Sequence, residues 1–209
     1  MNLADPMSSV IPGVQGVILS ILARTDQPLT GLTVAELAGD RASAAGIKRA
    51  IRPLVEAGLV VLMPAGRAHL YSLNREHVAY PAIVQLGALR NELYRRIGDA
   101  VSQWSVLPLC AGVYGSTARG QATASSDVDL LLVRPVGIAV DHADWARQVA
   151  DLSGAVTDWS GNQSDVLEYD LAELRRLRDE GDPLLVSLER DSVVLYGDRI
   201  RTMLTESVH

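Results

Sequence analysis

The stretch VYGSTARGQATASSDVDLLLV, residues 113–133, decides the fold expected for most of this chain. An apolar run ends at Gly115, ten residues follow Ser116, and Asp127 and Asp129 then open a second apolar run. This pattern predicts a strand ending before Gly115, a helix capped by the Ser116 hydroxyl, and a buried strand from Asp127 onward. The two acids stand where that strand would otherwise be apolar, which indicates a role beyond packing.

The paired acids predict a metal site. Side chains alternate along a strand, so Asp127 and Asp129 project from one face, roughly 6.5–7 Å apart at Cα, while Val128 and Leu130 point into the core. Two neighbouring carboxylates are unfavourable unless a positive charge lies between them. Magnesium, or manganese in its place, accepts one or two carboxylates together with substrate phosphate oxygens.

The Gly-Ser pair predicts a phosphate-binding turn. Gly115 has no side chain to keep a phosphate from the backbone, and the N–H groups at the start of the helix favour an anion beside Ser116. Arg119, one turn into that helix, either adds positive charge for the phosphates or is a solvated surface residue.

Gly-Ser, the spacing and Asp-Val-Asp-Leu together resemble the minimal nucleotidyltransferases of the DNA polymerase beta superfamily. Arg119 and Gly120 match the Gly-Ser-x-Ala-Arg-Gly variant of that motif. The resemblance continues through a helical stretch at 142–159, a turn and strand at 160–170, and the segment 173–197. It therefore extends over most of the C-terminal part of the chain.

The resemblance implies a reaction in which a nucleoside triphosphate gives its nucleoside monophosphate to an acceptor hydroxyl and pyrophosphate leaves. Asp127 and Asp129 would then hold the metal, and a neighbouring strand would supply a third carboxylate that binds metal and acts as the general base. Asp165 is the first candidate for it, and Glu168, on the opposite face of that strand, is the second. Relatives modify small antibiotics, proteins or RNA, so the acceptor stays open.

The N-terminal part has a different pattern. Residues 14–74 read as three helices and a hairpin, with a capping box at Thr33 and Glu36 opening the short second helix. The third helix, residues 43–57, carries an apolar face at Ile47, Ile51, Leu54 and Val55. Two apolar runs around the turn PAGRA then predict the β-hairpin.

This order resembles a winged helix-turn-helix domain, including the phrase IRPLVEAGLVVL at the end of the third helix. In that fold the third helix enters the major groove of DNA and the hairpin contacts the backbone. Lys48, Arg49 and Arg52 lie off the apolar face, and Arg67 and His69 lie on the hairpin. They are candidate DNA contacts; the alternative is a packing module with solvated charges.

The fold class expected is α+β, with a winged helix-turn-helix domain at residues 8–80 and a polymerase-beta-like domain at 81–209, a mixed sheet with flanking helices. A proline at position 81 suits the first turn of a helix, so we expect one connecting helix from Tyr80 to Trp104.

Composition limits the partners and the compartment. Residues 1–80 carry seven basic and six acidic side chains, and residues 81–209 carry twelve and nineteen, so the N-terminal part repels nucleic acid less. Cys110 is the only cysteine, which favours the reducing cytoplasm. No apolar run reaches the roughly 18 residues needed to span a bilayer, so no membrane association is expected.

Three functions are compatible with these patterns. The first is an enzyme that transfers a nucleoside monophosphate to an acceptor hydroxyl, for which a protein or an RNA is a candidate. The second is a regulator that binds double-stranded DNA, as a homodimer, and uses the nucleotidyltransferase fold to sense a nucleotide. The third is a toxin–antitoxin component that modifies or binds its partner protein.

Overall fold

The computed structural model describes residues 1–205, which form two compact units of mixed α+β structure. Residue 2 and residues 4–90 form the N-terminal unit, whereas residues 1, 3 and those from Asn91 onward form the C-terminal unit. Within the described residues, no helix has both the length and the apolar character needed to cross a membrane.

The N-terminal unit combines helices with a three-stranded antiparallel sheet in the order β1-β3-β2. Its helices are α1 (Pro6–Val10), α2 (Val14–Leu22), α3 (Gly31–Ala38), α4 (Ala44–Glu56) and α5 (Tyr80–Gly87), with a 3-10 turn at Gly39–Arg41. Its strands are β1 (Leu29–Thr30), β2 (Val60–Ala65) and β3 (Ala68–Leu73). The predicted hairpin is confirmed: β2 pairs with β3 around a turn in which Gly66 has a φ of +61°.

Apolar faces of the N-terminal helices meet in one core. Ile18 of α2, Val34 of α3, and Ile47 and Ile51 of α4 are all buried there. The predicted apolar face of α4 is therefore confirmed: it packs into the core, and the opposite face of the helix is exposed.

The cap of α3 differs from the expectation. The capping box at Thr33 and Glu36 is wrong, because α3 already begins at Gly31. Thr30 is the cap: its Oγ1 accepts a hydrogen bond from the Thr33 N–H at 3.0 Å. Strand β1 ends at Thr30 in an extended conformation, which is the backbone geometry that an N-cap residue needs.

The connection between the units also differs. The single helix expected from Tyr80 to Trp104 is two helices, α5 and α6 (Leu89–Ser102), with Ala88 between them. Ile83 of α5 is buried in the N-terminal core, whereas Ile97 of α6 is buried in the C-terminal core. The chain therefore passes from one unit to the other near the start of α6, ten residues later than the expected boundary between 80 and 81.

The C-terminal unit is built on a four-stranded mixed sheet in the order β6-β5-β4-β7. The strands are β4 (Cys110–Val113), β5 (Val128–Val133), β6 (Ser164–Tyr169) and β7 (Val193–Gly197). The helices, besides α6, are α7 (Gly115–Ala118), α8 (Ala143–Ser160), α9 (Leu171–Glu180), α10 (Pro183–Asp191) and α11 (Ile200–Thr205). β5 and β6 are parallel, and β4 is antiparallel to both β5 and β7, so the mixed sheet matches the expectation.

Strand β5 is covered on both faces. Val128, Leu130 and Leu132 are buried in one cluster with residues of α6 and α8, so Val128 and Leu130 do point into a core. Leu131 and Val133 are buried in a second cluster with residues of α9, α10 and α11. Alternation places the Asp129 side chain on the face of Leu131 and Val133, at the open end of the strand.

Candidate active site

Three polar side chains form a row across the sheet. The Tyr114 N–H donates to the Asp129 carbonyl at 3.0 Å, which continues the antiparallel pairing of β4 and β5. Asp129 is in turn the register partner of Asp165 in the parallel pair of β5 and β6. Register partners on neighbouring strands face the same side of a sheet, so Tyr114, Asp129 and Asp165 share one face. Asp127 lies just before β5, at the same end of it.

Gly115 makes the closest approach to this row. Its φ is +64°, and a Cβ added there would lie 2.1 Å from Oδ2 of Asp129. The Ser116 backbone N–H donates a hydrogen bond to the same carboxylate. Ser116 does not cap a helix as expected, because α7 is one turn long and begins at Gly115. The anion beside this turn is the Asp129 side chain.

The electrostatics of the row are those of a crowded acid site. Burial, then the charges of Asp165 and Asp127, raise the pKa of Asp129, while Arg119 and the Ser116 N–H oppose the rise. Burial and the neighbouring Asp129 and Asp165 raise the pKa of Tyr114 to about 12, so its phenol stays protonated at neutral pH. The charges of Asp165 and Asp127 thus disfavour the ionised form of Asp129, and a bound cation would relieve this repulsion.

Asp127, Asp129 and Asp165 fit a divalent metal ion in one respect: a cation would offset the like charges that raise the pKa of Asp129. Among residues 1–205, no group of three or more His, Cys, Asp or Glu side chains is arranged so that it could hold a metal ion. The hard carboxylate oxygens of Asp127 and Asp129 are nonetheless the ligand type that Mg²⁺ combines with phosphate oxygens and water. The like charge on Asp129 and Asp165 is the property that such an ion would neutralise.

Arg119 brings positive charge toward the acids. It ends α7, lowers the pKa of Asp129, and lies 3.6 Å from Oδ2 of Asp191 at the end of α10. Its Nε also donates to Gln121 at 3.3 Å. Asp191 is bound by Arg190 as well, and the pKa of Asp191 is lowered chiefly by that bond. Asp191, which the sequence did not single out, therefore helps to hold Arg119 near the site.

The two candidates for the third carboxylate lie on opposite faces of β6. Asp165 faces Asp129, whereas Glu168 accepts a hydrogen bond from the buried Trp145 Nε1 at 2.5 Å. Glu168 also lies 3.9 Å from the guanidinium of Arg134, which is buried and bonds Glu173 at 2.9 Å. The structure thus brings Asp165 into the row and engages Glu168 elsewhere.

A buried asparagine holds the loop before the acids. Asn162 follows α8, and its Nδ2 donates to the carbonyl of Ser126 at 2.8 Å, with longer contacts to the carbonyls of Thr123 and Ala124. Thr117 is buried in α7 and its Oγ1 donates to the Asp127 carbonyl at 3.4 Å. Sequence reasoning missed Asn162; the only local signal is its place after Gly161, which ends α8.

A cavity of about 560 Å³ lies away from these acids. It is lined by residues 135–139, which follow β5, and by residues 170–172 and Arg175, which follow β6. The acids stand at the starts of the same two parallel strands. Six residues of strand separate the two ends, or roughly 20 Å, so the cavity is not part of the acid site.

The candidate DNA contacts are exposed on the N-terminal unit. Lys48 and Arg49 lie on the outer face of α4, and Arg67 lies at the tip of the hairpin between β2 and β3. Arg52 is exposed too, but its Nε bonds Glu56 at 2.7 Å, which offsets its charge. His69 lies on β3.

Residues 95–188 match the family model described as a nucleotidyltransferase domain. The matched segment runs from α6 into α10 and contains Gly115, Ser116, Asp127, Asp129 and Asp165. A search of curated proteins found no match to the chain. The match supports a nucleotidyltransferase domain, with nucleotidyl transfer as its general activity.

Gly115→Ala tests the contact between the turn and the carboxylate. Gly181 has nearly the same φ, +67°, but a Cβ there would meet nothing within 4 Å, so Gly181→Ala is the matched control. We expect the control to lose about 1–2 kcal/mol of unfolding free energy from backbone strain, and Gly115→Ala to lose clearly more because Asp129 must move. Urea denaturation measures both. Equal losses would mean that Asp129 is not held against the turn.

Proposed function

We propose that the C-terminal unit is a metal-dependent nucleotidyltransferase that transfers a nucleoside monophosphate from a nucleoside triphosphate to an acceptor hydroxyl. The observation that carries the proposal is the row of Asp129 and Asp165 on one sheet face, beside Asp127 and the Gly115 turn, within the segment that matches the family model. A carboxyl group whose pKa is raised by burial and by neighbouring acids, as that of Asp129 is, is typical of sites for catalysis or metal binding.

In this proposal Asp127 and Asp129 hold Mg²⁺ or Mn²⁺. The bound metal supplies positive charge to the triphosphate and to the oxygens whose charge changes during transfer. Gly115 and Ser116 contribute backbone next to the β- and γ-phosphates. Arg119, restrained by Asp191 on one side, adds positive charge on the phosphate side of the acids.

Asp165 is the general base. It takes the proton of the acceptor hydroxyl as the acceptor oxygen bonds to the α-phosphorus, and the bond from that phosphorus to the pyrophosphate oxygen breaks. Asp165 suits this role because it is exposed and faces Asp129. Glu168 does not suit it, because its carboxylate bonds Trp145 on the other face.

The acceptor is a protein or an RNA in this proposal, and two rival readings share the same site. A nucleotide sensor would bind the triphosphate with metal and transfer nothing. A toxin–antitoxin component would act on, or bind, one partner protein. Incubation with an α-labelled triphosphate, Mg²⁺ and host lysate separates a sensor from a transferase, because the label stays free with a sensor and enters an acceptor with a transferase. A protein that co-purifies with the chain would point to the toxin–antitoxin component.

We further propose that the N-terminal unit is a winged helix-turn-helix domain that binds double-stranded DNA as a homodimer. The observation that favours it is the exposure of Lys48 and Arg49 on one face of α4, with Arg67 at the tip of the adjoining hairpin. One copy offers few phosphate contacts on an acidic protein, so two copies presenting α4 to two half-sites are needed for tight binding.

Asp129→Asn tests the metal site through stability. The change removes one of the like charges, so the metal-free variant should melt no lower than the wild type. With Mg²⁺ and a non-hydrolysable triphosphate at about tenfold their Kd, the wild type should gain about 1.4 kcal/mol, or about 3–6 °C in Tm. The variant should gain much less.

Asp141→Asn, at an exposed carboxylate before α8, is the control and should respond to ligand as the wild type does. Differential scanning fluorimetry measures all three proteins. A full ligand shift in Asp129→Asn would remove Asp129 from the metal site.

Asp165→Ala and Glu168→Ala separate the base from its rival. Asp165→Ala should lower transfer of label at least about a hundredfold, as expected when a general base is lost, and should change triphosphate affinity little. Glu168→Ala should mainly lower stability, because the buried Trp145 N–H loses its acceptor, while Arg134 keeps its bond to Glu173. Labelling in lysate and calorimetry give the two readouts. The opposite pattern would assign the base to Glu168.

Arg67→Ala and Arg49→Ala test the DNA proposal. A hairpin contact meets phosphate, so Arg67→Ala should weaken binding to all duplexes alike and reduce the salt slope by about 0.9. Arg49→Ala should also relax sequence preference if that side chain reaches a base edge. Arg52→Ala should have the smaller effect, because Glu56 already offsets Arg52. A selection from random duplexes at low salt that enriches no sequence would reject this proposal.

A further inference from the structure

The surface of the N-terminal unit has a groove between the start of α3, the first half of α4 and strand β3. Its volume is about 470 Å³, within the range of small-molecule sites. Ile47 and Ile51 of α4, 1% and 3% exposed, form its floor. Leu32 of α3 and Tyr71 of β3 form its walls. Leu32 is 66% exposed, an apolar side chain that the core does not use.

The polar groups of the groove point to one kind of ligand. Its charged or titratable lining consists of Lys48, His69 and the Tyr71 phenol, and no carboxylate is among the lining residues. The Thr30 hydroxyl already accepts the Thr33 N–H, so it is committed to the α3 cap. The groove therefore offers an apolar surface with an ammonium and an imidazole at its edge, and no acid to repel an anion.

We infer that this groove binds a small apolar anion, such as an aromatic carboxylate. The ring lies on Ile47 and Ile51 beside Tyr71, and the carboxylate lies between Lys48 and His69. An uncharged ligand with the same ring would make the same apolar contacts but would give the Lys48 ammonium no carboxylate to pair with. This inference goes beyond the proposed nucleotidyl transfer and does not depend on it.

The position of the groove means that its ligand would affect the proposed binding of DNA by α4. Lys48 lines the groove and is also one of the proposed DNA contacts on α4. A carboxylate bound to Lys48 neutralises that charge and places a molecule between α4 and the hairpin. If α4 binds DNA as proposed, ligand and DNA compete for Lys48, so the ligand lowers the apparent affinity for DNA and DNA lowers that for the ligand.

The test uses the full chain without DNA, so the DNA proposal can fail separately. The probes are 2-naphthoate and 2-naphthamide, which have the same ring and differ in charge. Methyl NMR should show shifts at Ile47 and Ile51 with 2-naphthoate, while the Ile83 methyls, in the same unit outside the groove, stay unchanged. The amide should bind at least about threefold more weakly, as one exposed ion pair predicts.

Two variants complete the test. Lys48→Met keeps the length of the side chain and should raise the Kd for 2-naphthoate about threefold to fivefold, with the amide unaffected. Arg75→Met, at an exposed arginine of the same unit outside the groove lining, is the control and should leave both affinities unchanged. Equal affinity for both probes, equal effects of the two variants, or shifts absent from Ile47 and Ile51 would each overturn the inference.

Discussion

Repulsion among carboxylates at the open end of β5 is the constraint on which the site depends. Asp129 stands on a strand that is otherwise buried, beside Asp165 on the next strand and Asp127 before it, and the charges of both neighbours raise the pKa of Asp129. A folded protein keeps such a cluster only where other groups compensate for it. The neighbouring backbone and side chains supply part of that compensation, and we propose that metal supplies the rest.

The compensating groups come from separate parts of the chain. The turn at Gly115 places the Ser116 N–H against the Asp129 carboxylate, and only glycine leaves room for that approach. Arg119 lies between Asp129 and Asp191, so its position depends on the end of α10 as well as on its own helix. In the proposed reaction, positive charge that is already in place would cost little reorganisation when a triphosphate binds.

The two acids of β6 face opposite sides of the sheet, because side chains alternate along a strand. Asp165 faces the row, while Glu168, three residues later, meets the Trp145 N–H and the buried Arg134. Carboxylates on the same strand thus have different tasks, because one is exposed beside other acids and the other is paired with donors. Glu168 contributes to the packing of α8 against the sheet, since Trp145 is a buried residue of that helix.

The sequence by itself determined the local features: the faces of β5, the apolar face of α4, the hairpin, and the glycine at the turn. Each follows from alternation, helical periodicity or backbone sterics, which act between near neighbours. The sequence could not locate the α3 cap at Thr30, which depends on where β1 ends. Nor could it locate the break at Ala88, which depends on Ile83 being buried in the N-terminal core. Only the tertiary structure placed Asp165 opposite Asp129, set Glu168 against Trp145, and brought Asp191 to Arg119. Those choices depend on the register between β5 and β6 and on the packing of α10, and both join residues that are distant in the chain.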